Sequence, residues 1–256
     1  MAYAMSLDSG HWYLQDGSPF YSVMSKDGRE RPVTLRDARK VGAVPSVTTV
    51  LRILAKPQLE RWRRAQTALA ALTLPRVDGE TSDELLRRID EDSSRQVIEA
   101  AEEGTRIHDA IECAFKRQPY PTRYDRHVAA AQEKIRETFP AITDWVPEKS
   151  FAHDLGFGGK VDLHSPSIGI VIDYKGKDGD FTDGKRLAYD QHEQLAGYSI
   201  GLDLPINVCA NLFVSRSHPG CVSLHVWSRD EITWARELFL RTLSVWQWRN
   251  KYAPPA

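Results

Sequence analysis

Cysteine is scarce: Cys113, Cys209 and Cys221 are scattered along 256 residues, with no C-x-x-C spacing. That excludes a disulfide framework and the four-cysteine ligand set of an iron–sulfur cluster, and it fits a reducing compartment. Long apolar runs are missing too. No stretch reaches the ~18 residues of a membrane span, and the N-terminus lacks a cationic-then-apolar leader. Charge of one sign is absent, since 34 Lys and Arg stand against 35 Asp and Glu for a net charge of −1. With no global field to attract a polyanion, any nucleic-acid contact must use a local basic track. No G-x-x-x-x-G-K-[ST] loop occurs, so an ATP motor of that type would have to be another chain. Repeats, low-complexity tracts and clean linkers are lacking as well. The expectation is a soluble, cytoplasmic chain with no membrane partner; its length fits one large domain or two small ones, and one α/β domain over 1–256 is the simplest reading.

What is present centres on residues 158–175, which read as two strands and a tight connection. Residues 160–164 form one strand and 169–175 the other, with Ser165-Pro166-Ser167 supplying turn chemistry. Folding the hairpin symmetrically about Ser167 and Ile168 sets Asp162 opposite Asp173. Directly opposed like charges are destabilising, and Ile170 and Ile172 mark the second strand as buried, which raises the cost of two bare carboxylates. A cation is expected between them. Lys175, two residues after Asp173, points to the same face. Two acids and a lysine on one face suit a divalent ion with oxygen ligands, plus a cation for a phosphate or a nucleophilic water. A surface hairpin with solvated charges is the plain alternative.

Two flanking helical patterns extend the constellation. Upstream, Ile107, Ala110, Ile111 and Ala114 form an apolar stripe, and His108 and Glu112, four apart, share a face. Gly104, one turn before His108, leaves room for another backbone. Downstream, Gln194 and Tyr198 share a helical face. Gly159-x-x-Asp162, ten residues, then Asp173-x-Lys175 resembles the core of the PD-(D/E)XK nuclease superfamily. Gly104-x-x-x-His108-x-x-x-Glu112 and Gln194-x-x-x-Tyr198 resemble the helix motifs of its RecB-like and phage-type exonuclease branch, in the same order. The resemblance spans about 104–198, under half of the chain, and Asp173 stands where most relatives carry Glu.

The resemblance implies an α/β fold: a restriction-endonuclease-like core over 94–256, a central mixed β-sheet flanked by helices, with 1–93 as an N-terminal elaboration of hairpin and helices. It implies phosphodiester hydrolysis from DNA ends, in phage or prophage recombination, replication or repair. A structure-specific endonuclease or an inactive DNA-binding module are the alternatives. His108, Asp162, Asp173 and the carbonyl of Tyr174 would be metal ligands for Mg²⁺ or Mn²⁺, with Glu112 at a possible second ion. Lys175 would act on the attacking water, and Gln194 and Tyr198 on a phosphate or the scissile nucleotide. Partners would be DNA and a single-strand annealing or binding protein.

Elsewhere, Asp16-Gly17 between aromatic runs predicts a hairpin over 11–23, followed by a loop or second short hairpin. That segment is expected to cover an edge of the core rather than touch substrate. Ser46 or Thr48 could cap a helix to Leu54, and Pro57 opens another with Leu59, Trp62 and Leu69 inward. Trp62 among Arg61, Arg63 and Arg64 is a candidate single-strand contact by stacking and phosphate neutralisation, as are Lys160, Lys177 and Lys185 for the backbone. A short helix within 76–94 is expected ahead of the His108 helix over 94–116. The Gln194/Tyr198 helix is expected over 185–202. A last helix, capped by Asp230, turns Trp234, Leu238, Val245 and Trp248 to the core.

Overall fold

Three capping boxes punctuate the chain. Thr34 with Asp37, Thr81 with Glu84 and Ser228 with Glu231 each exchange side-chain and backbone hydrogen bonds, so each opens a helix at a fixed residue. The structure, a computed structural model, describes residues 10–254. In order it contains β1 (Trp12–Tyr13), β2 (Ser22–Met24), β3 (Glu30–Pro32), α1 (Leu35–Val41), β4 (Val44–Pro45), α2 (Val47–Leu51), α3 (Pro57–Thr73) and α4 (Ser82–Phe115). A 3₁₀ turn at Thr122–Tyr124 leads into α5 (Asp125–Thr138), then β5 (Val146–His153), β6 (Phe157–Ser165), β7 (Ile170–Lys177), α6 (His192–Gly201), β8 (Cys209–Ser215), β9 (Val222–Trp227) and α7 (Arg229–Arg249).

The central sheet is five-stranded in the order β5-β6-β7-β8-β9. Only β7 and β8 run parallel; the other neighbours are antiparallel. A parallel pair needs a crossover, and α6 supplies it. Side chains alternate across β7: Val171 joins a core with α2, α6 and α7, while Ile170, Ile172 and Tyr174 join a second core with α4 and α5. The fold is therefore a mixed α/β one, with helices on both faces of the sheet. Among the described residues no helix is long and apolar enough to cross a membrane.

Several expectations need correction. Residues 82–115 form one helix of 34 residues, running without a break across position 93/94. Neither Pro nor Gly occurs between Ser82 and Glu103, and Ser93-Ser94 alone is too weak a breaker. β1 pairs with β4, although Phe20 N still donates to Trp12 O at 2.8 Å and a turn forms at 14–18. Helix α1 lies inside the expected loop, signalled by its Thr34-x-x-Asp37 box. On α3, Leu59 and Leu69 face solvent and Ala70 is buried instead. Helix α6 starts only at His192, because the Gln191 and Asp183 side chains accept from the backbone N–H groups of Tyr189 and Lys185. Ser228, not Asp230, caps α7, whose buried face is Ile232, Ala235, Phe239, Thr242, Leu243 and Trp246. Trp234, Leu238, Val245 and Trp248 are all exposed, the two tryptophans by 73% and 81%.

Two glycines separate packing from conformational cost. A Cβ on Gly201 would lie 1.9 Å from the buried Phe151 ring, whereas one on Gly104, mid-helix, would meet nothing within 4 Å. Gly201→Ala is expected to destabilise the fold by about 1–3 kcal/mol. Gly104→Ala should stabilise it by about 0.5–1 kcal/mol. Urea unfolding midpoints with unchanged slopes decide both.

Candidate active site

The hairpin register is the expected one up to a point. Ser165 pairs with Ile170, His164 with Val171 and Leu163 with Ile172; the next pair would be Asp162 with Asp173, and there the ladder stops. On the other side of β6, Pro147 pairs with Leu163 and Lys149 with Val161, but the intervening Glu148, opposite Asp162, is unpaired and adopts φ 53°. The sheet is thus interrupted on both sides of Asp162. A left-handed glutamate is strained by about 1 kcal/mol, so surrounding structure must hold it there.

Groups from three further elements, α4, α6 and β8, converge where the β6/β7 ladder stops. Asp162 Oδ2 accepts from the backbone N–H of Tyr174 at 2.7 Å. Asp173 is 2% exposed and fully engaged. Its Oδ1 accepts from Gln194 Nε2 at 2.8 Å, and its Oδ2 accepts from Lys175 Nζ at 2.8 Å and from Asn211 Nδ2 at 2.9 Å. Gln194, on α6, also donates to Tyr198 Oη at 2.7 Å and accepts from Lys175 at 3.0 Å. Its amide is therefore committed to bridging helix and sheet. Asn211 is set by the parallel β7/β8 register, opposite Asp173, and accepts from Trp227 Nε1 at 2.7 Å.

From α4, His108 stands edge-on to Tyr174 at 5.6 Å between ring centroids. Among the described residues its Nε2 and the Tyr174 hydroxyl are buried without a hydrogen-bond partner. Glu112 is ion-paired with Lys116 along the helix, and Glu148 with Lys160 across β5 and β6. Lys177 lies at the end of β7, half-buried between the rings of Tyr189 and Phe213 at 5.8 and 5.7 Å. Trp62 and Arg63 stay on α3, which packs against α4; Arg63 pairs with Glu60 at 3.5 Å, and neither hydrogen-bonds to the cluster.

The electrostatics follow from burial. Desolvation pushes both Asp162 and Asp173 above the ordinary carboxylate range, against the pull of the Tyr174 N–H on the first and of Lys175 on the second. Desolvation, aided by the positive charge of Lys175, brings His108 down to about 4, so its imidazole is neutral at pH 7, the form that can ligate a metal. Glu148 rises to about 7 through desolvation despite its lysine partner. Among the described residues no three His, Cys, Asp or Glu side chains form a ready metal cage. The donor set still suits a hard divalent ion: two carboxylates, an orphaned imidazole nitrogen, and an ammonium already seated on Asp173 as a stand-in cation.

Asn211, Trp227 and Glu148 are the members the sequence did not disclose. Asn211 left a signal, a lone polar residue in the apolar run Cys209–Ser215. Glu148 left none, because its place depends on a local backbone inversion.

No family model matches the chain, and no curated protein matches it. Among solved structures, that of SSO0001 is 12% identical, with a TM-score of 0.32 over 72% of this chain and 86% of the other. A phage related exonuclease from Haemophilus somnus 129PT is 13% identical, with a TM-score of 0.30 over 71% of this chain and 91% of the other.

His108 generates a pH test. Its folded pKa of about 4 lies below the unfolded 6.5, so the neutral form is favoured, and stability is retained above pH 6.5 and lost as pH falls toward 4. The stability of wild type relative to His108→Leu should fall by roughly 3 kcal/mol between pH 7 and pH 4. Parallel denaturant titrations at the two pH values measure the difference, and equal curves would place the imidazole in solvent.

Proposed function

We propose that the chain is a divalent-cation-dependent deoxyribonuclease of the PD-(D/E)XK kind, an exonuclease acting on DNA ends in phage or prophage recombination, replication or repair. In this reading the restriction-endonuclease-like core over 94–256 takes in the C-terminal part of α4, and 1–93, which carries the N-terminal part of the same helix, is its elaboration. The supporting observation is the convergence of His108, Asp162, Asp173, Lys175 and Gln194, drawn from α4, β6, β7 and α6, at the place where the hairpin ladder stops. A solvated surface hairpin would have no reason to bury Asp173 or to commit three donors to it.

Asp162, Asp173, His108 and the Tyr174 carbonyl would hold Mg²⁺ or Mn²⁺, with Glu112 near a second ion. Such an ion, when bound, would lower the pKa of a water and stabilise charge on phosphorus. The water oxygen would bond to phosphorus as one P–O ester bond breaks, and the proton that the water loses would end on the departing alkoxide. Lys175 orients the water and neutralises charge on the phosphate, and Gln194 and Tyr198 fix the direction of Lys175. Lys177, Trp62 and Arg63 would serve bound DNA farther along, and a single-strand annealing or binding protein would be the natural cytoplasmic partner.

Asp162→Asn and Asp173→Asn should each lower DNA hydrolysis on the order of 100-fold or more. The Asp162 carboxyl is raised on folding, so its charge costs stability at pH 7 and the neutral amide should leave the thermal midpoint unchanged or higher. Lys175→Ala should impair turnover comparably. End-labelled linear single strands, linear duplex and covalently closed circles are incubated with Mg²⁺, with and without chelator. Nucleotides or short oligonucleotides from linear DNA alone, abolished by chelator, are expected. Discrete fragments from closed circles would make the enzyme an endonuclease, and binding without cleavage would make it a DNA-binding module.

A further inference from the structure

We propose that the stacked pair His11–Tyr21 is a nucleobase-docking platform at the rim of the Asp162/Asp173 site, an inference that rests on the nuclease reading above for the identity of its ligand. The two rings lie 4.6 Å apart with 28° between planes. Tyr13 closes the group edge-on, 5.7 Å from Tyr21 at 89°, with the two hydroxyls 2.6 Å apart. Tyr13 is 3% exposed and belongs to the core; Tyr21 is 37% exposed. More than a third of Tyr21 is thus left open to a ligand.

The platform is held rigidly. His11 N donates to Thr49 Oγ1 at 3.1 Å, and His11 O accepts from Ser46 N at 2.8 Å. Tyr13 lies directly on β6, where a Cβ on Gly158 would come within 2.9 Å of it. The register of the platform against the site is therefore fixed by backbone.

Its surroundings are charged with both signs, Lys160 being ion-paired with Glu148, and they lie toward the site. Lys160 and Glu148 act on the Tyr21 hydroxyl, Tyr198 and Glu148 act on that of Tyr13, and Arg52 places positive charge near His11. Lys160 is the next-but-one neighbour of Asp162 on the same face of β6. A part-exposed aromatic plane beside a lysine is chemistry that holds a single-stranded nucleotide, by stacking on the base, with Lys160 exchanging Glu148 for a phosphate. The segment expected merely to cover an edge of the core thereby becomes part of the substrate channel, and it separates single-stranded from paired ends because a base must leave its stack to lie on Tyr21.

The test is binding, not cleavage. Fluorescence anisotropy of the full chain in chelator is measured with a labelled single-stranded thymidine oligonucleotide and with a matched abasic sugar-phosphate strand. Tyr21→Leu and His11→Leu should each weaken the thymidine strand by roughly 5- to 150-fold, the range that base–aromatic stacking spans. Tyr21→Phe, which keeps the ring, should bind as wild type, and the abasic strand should not distinguish the four proteins. Unchanged binding by Tyr21→Leu, equal losses on both strands, or no oligonucleotide binding by wild type would overturn the platform. Base-dependent binding with no hydrolysis in Mg²⁺ would leave the platform standing and remove the nuclease reading. Hydrolysis with no effect of Tyr21→Leu on binding would do the reverse.

Discussion

A carboxylate at the centre of a sheet has to be neutralised where it stands. Asp173 is buried on β7, and an ion left unpaired there costs several kcal/mol. Three elements converge to meet that cost. The parallel register with β8 brings Asn211 alongside, the crossover helix α6 brings Gln194, and the next inward position of β7 itself brings Lys175. Each partner is fixed in turn: Asn211 by Trp227, Gln194 by Tyr198 and Lys175 by Gln194. The network leaves Asp173 one exchangeable cationic partner, the lysine ammonium, and a set of rigid neutral ones.

Asp162 is treated in the opposite way. Backbone pairing is withdrawn from it on both sides, by the end of the β6/β7 ladder and by the inverted backbone at Glu148. Among the described residues its one hydrogen bond comes from Tyr174 N, and its charge is disfavoured by desolvation. An interrupted sheet beside an under-compensated acid and an orphaned imidazole gives up local stability, as sites for reacting ligands commonly do.

Much of this was legible in the sequence, for definable reasons. The hairpin register follows from the positions of its turn residues, and the 3.6 and 2.0 periodicities place His108 and Lys175 on usable faces. What escaped depended on interactions across distant segments. Helix α7 carries two apolar faces, and pattern alone favours the tryptophans, yet tertiary packing buries Phe239 and Trp246 and leaves Trp234 and Trp248 outside. The unity of α4 was hidden by a serine pair whose propensity cost is small beside the cooperativity of a long helix. Tyr13 and Tyr21 lie some 140 positions before Asp162 and carry no motif; only the contact of β1 with β6 brings them to it.

The most direct measurement is paramagnetic broadening of the His108 imidazole resonances on adding Mn²⁺ to the isotope-labelled protein at pH 7. His108 belongs to the cluster only through tertiary structure, and its neutral ring is free to accept a ligand. Selective broadening at substoichiometric Mn²⁺, reversed by excess Mg²⁺ and absent in Asp173→Asn, is the result expected of a divalent-ion site built on Asp162, Asp173 and His108. Resonances of His108 that stay sharp while Mn²⁺ is in excess would contradict it, and Asp173 with Lys175 would then be a structural ion pair.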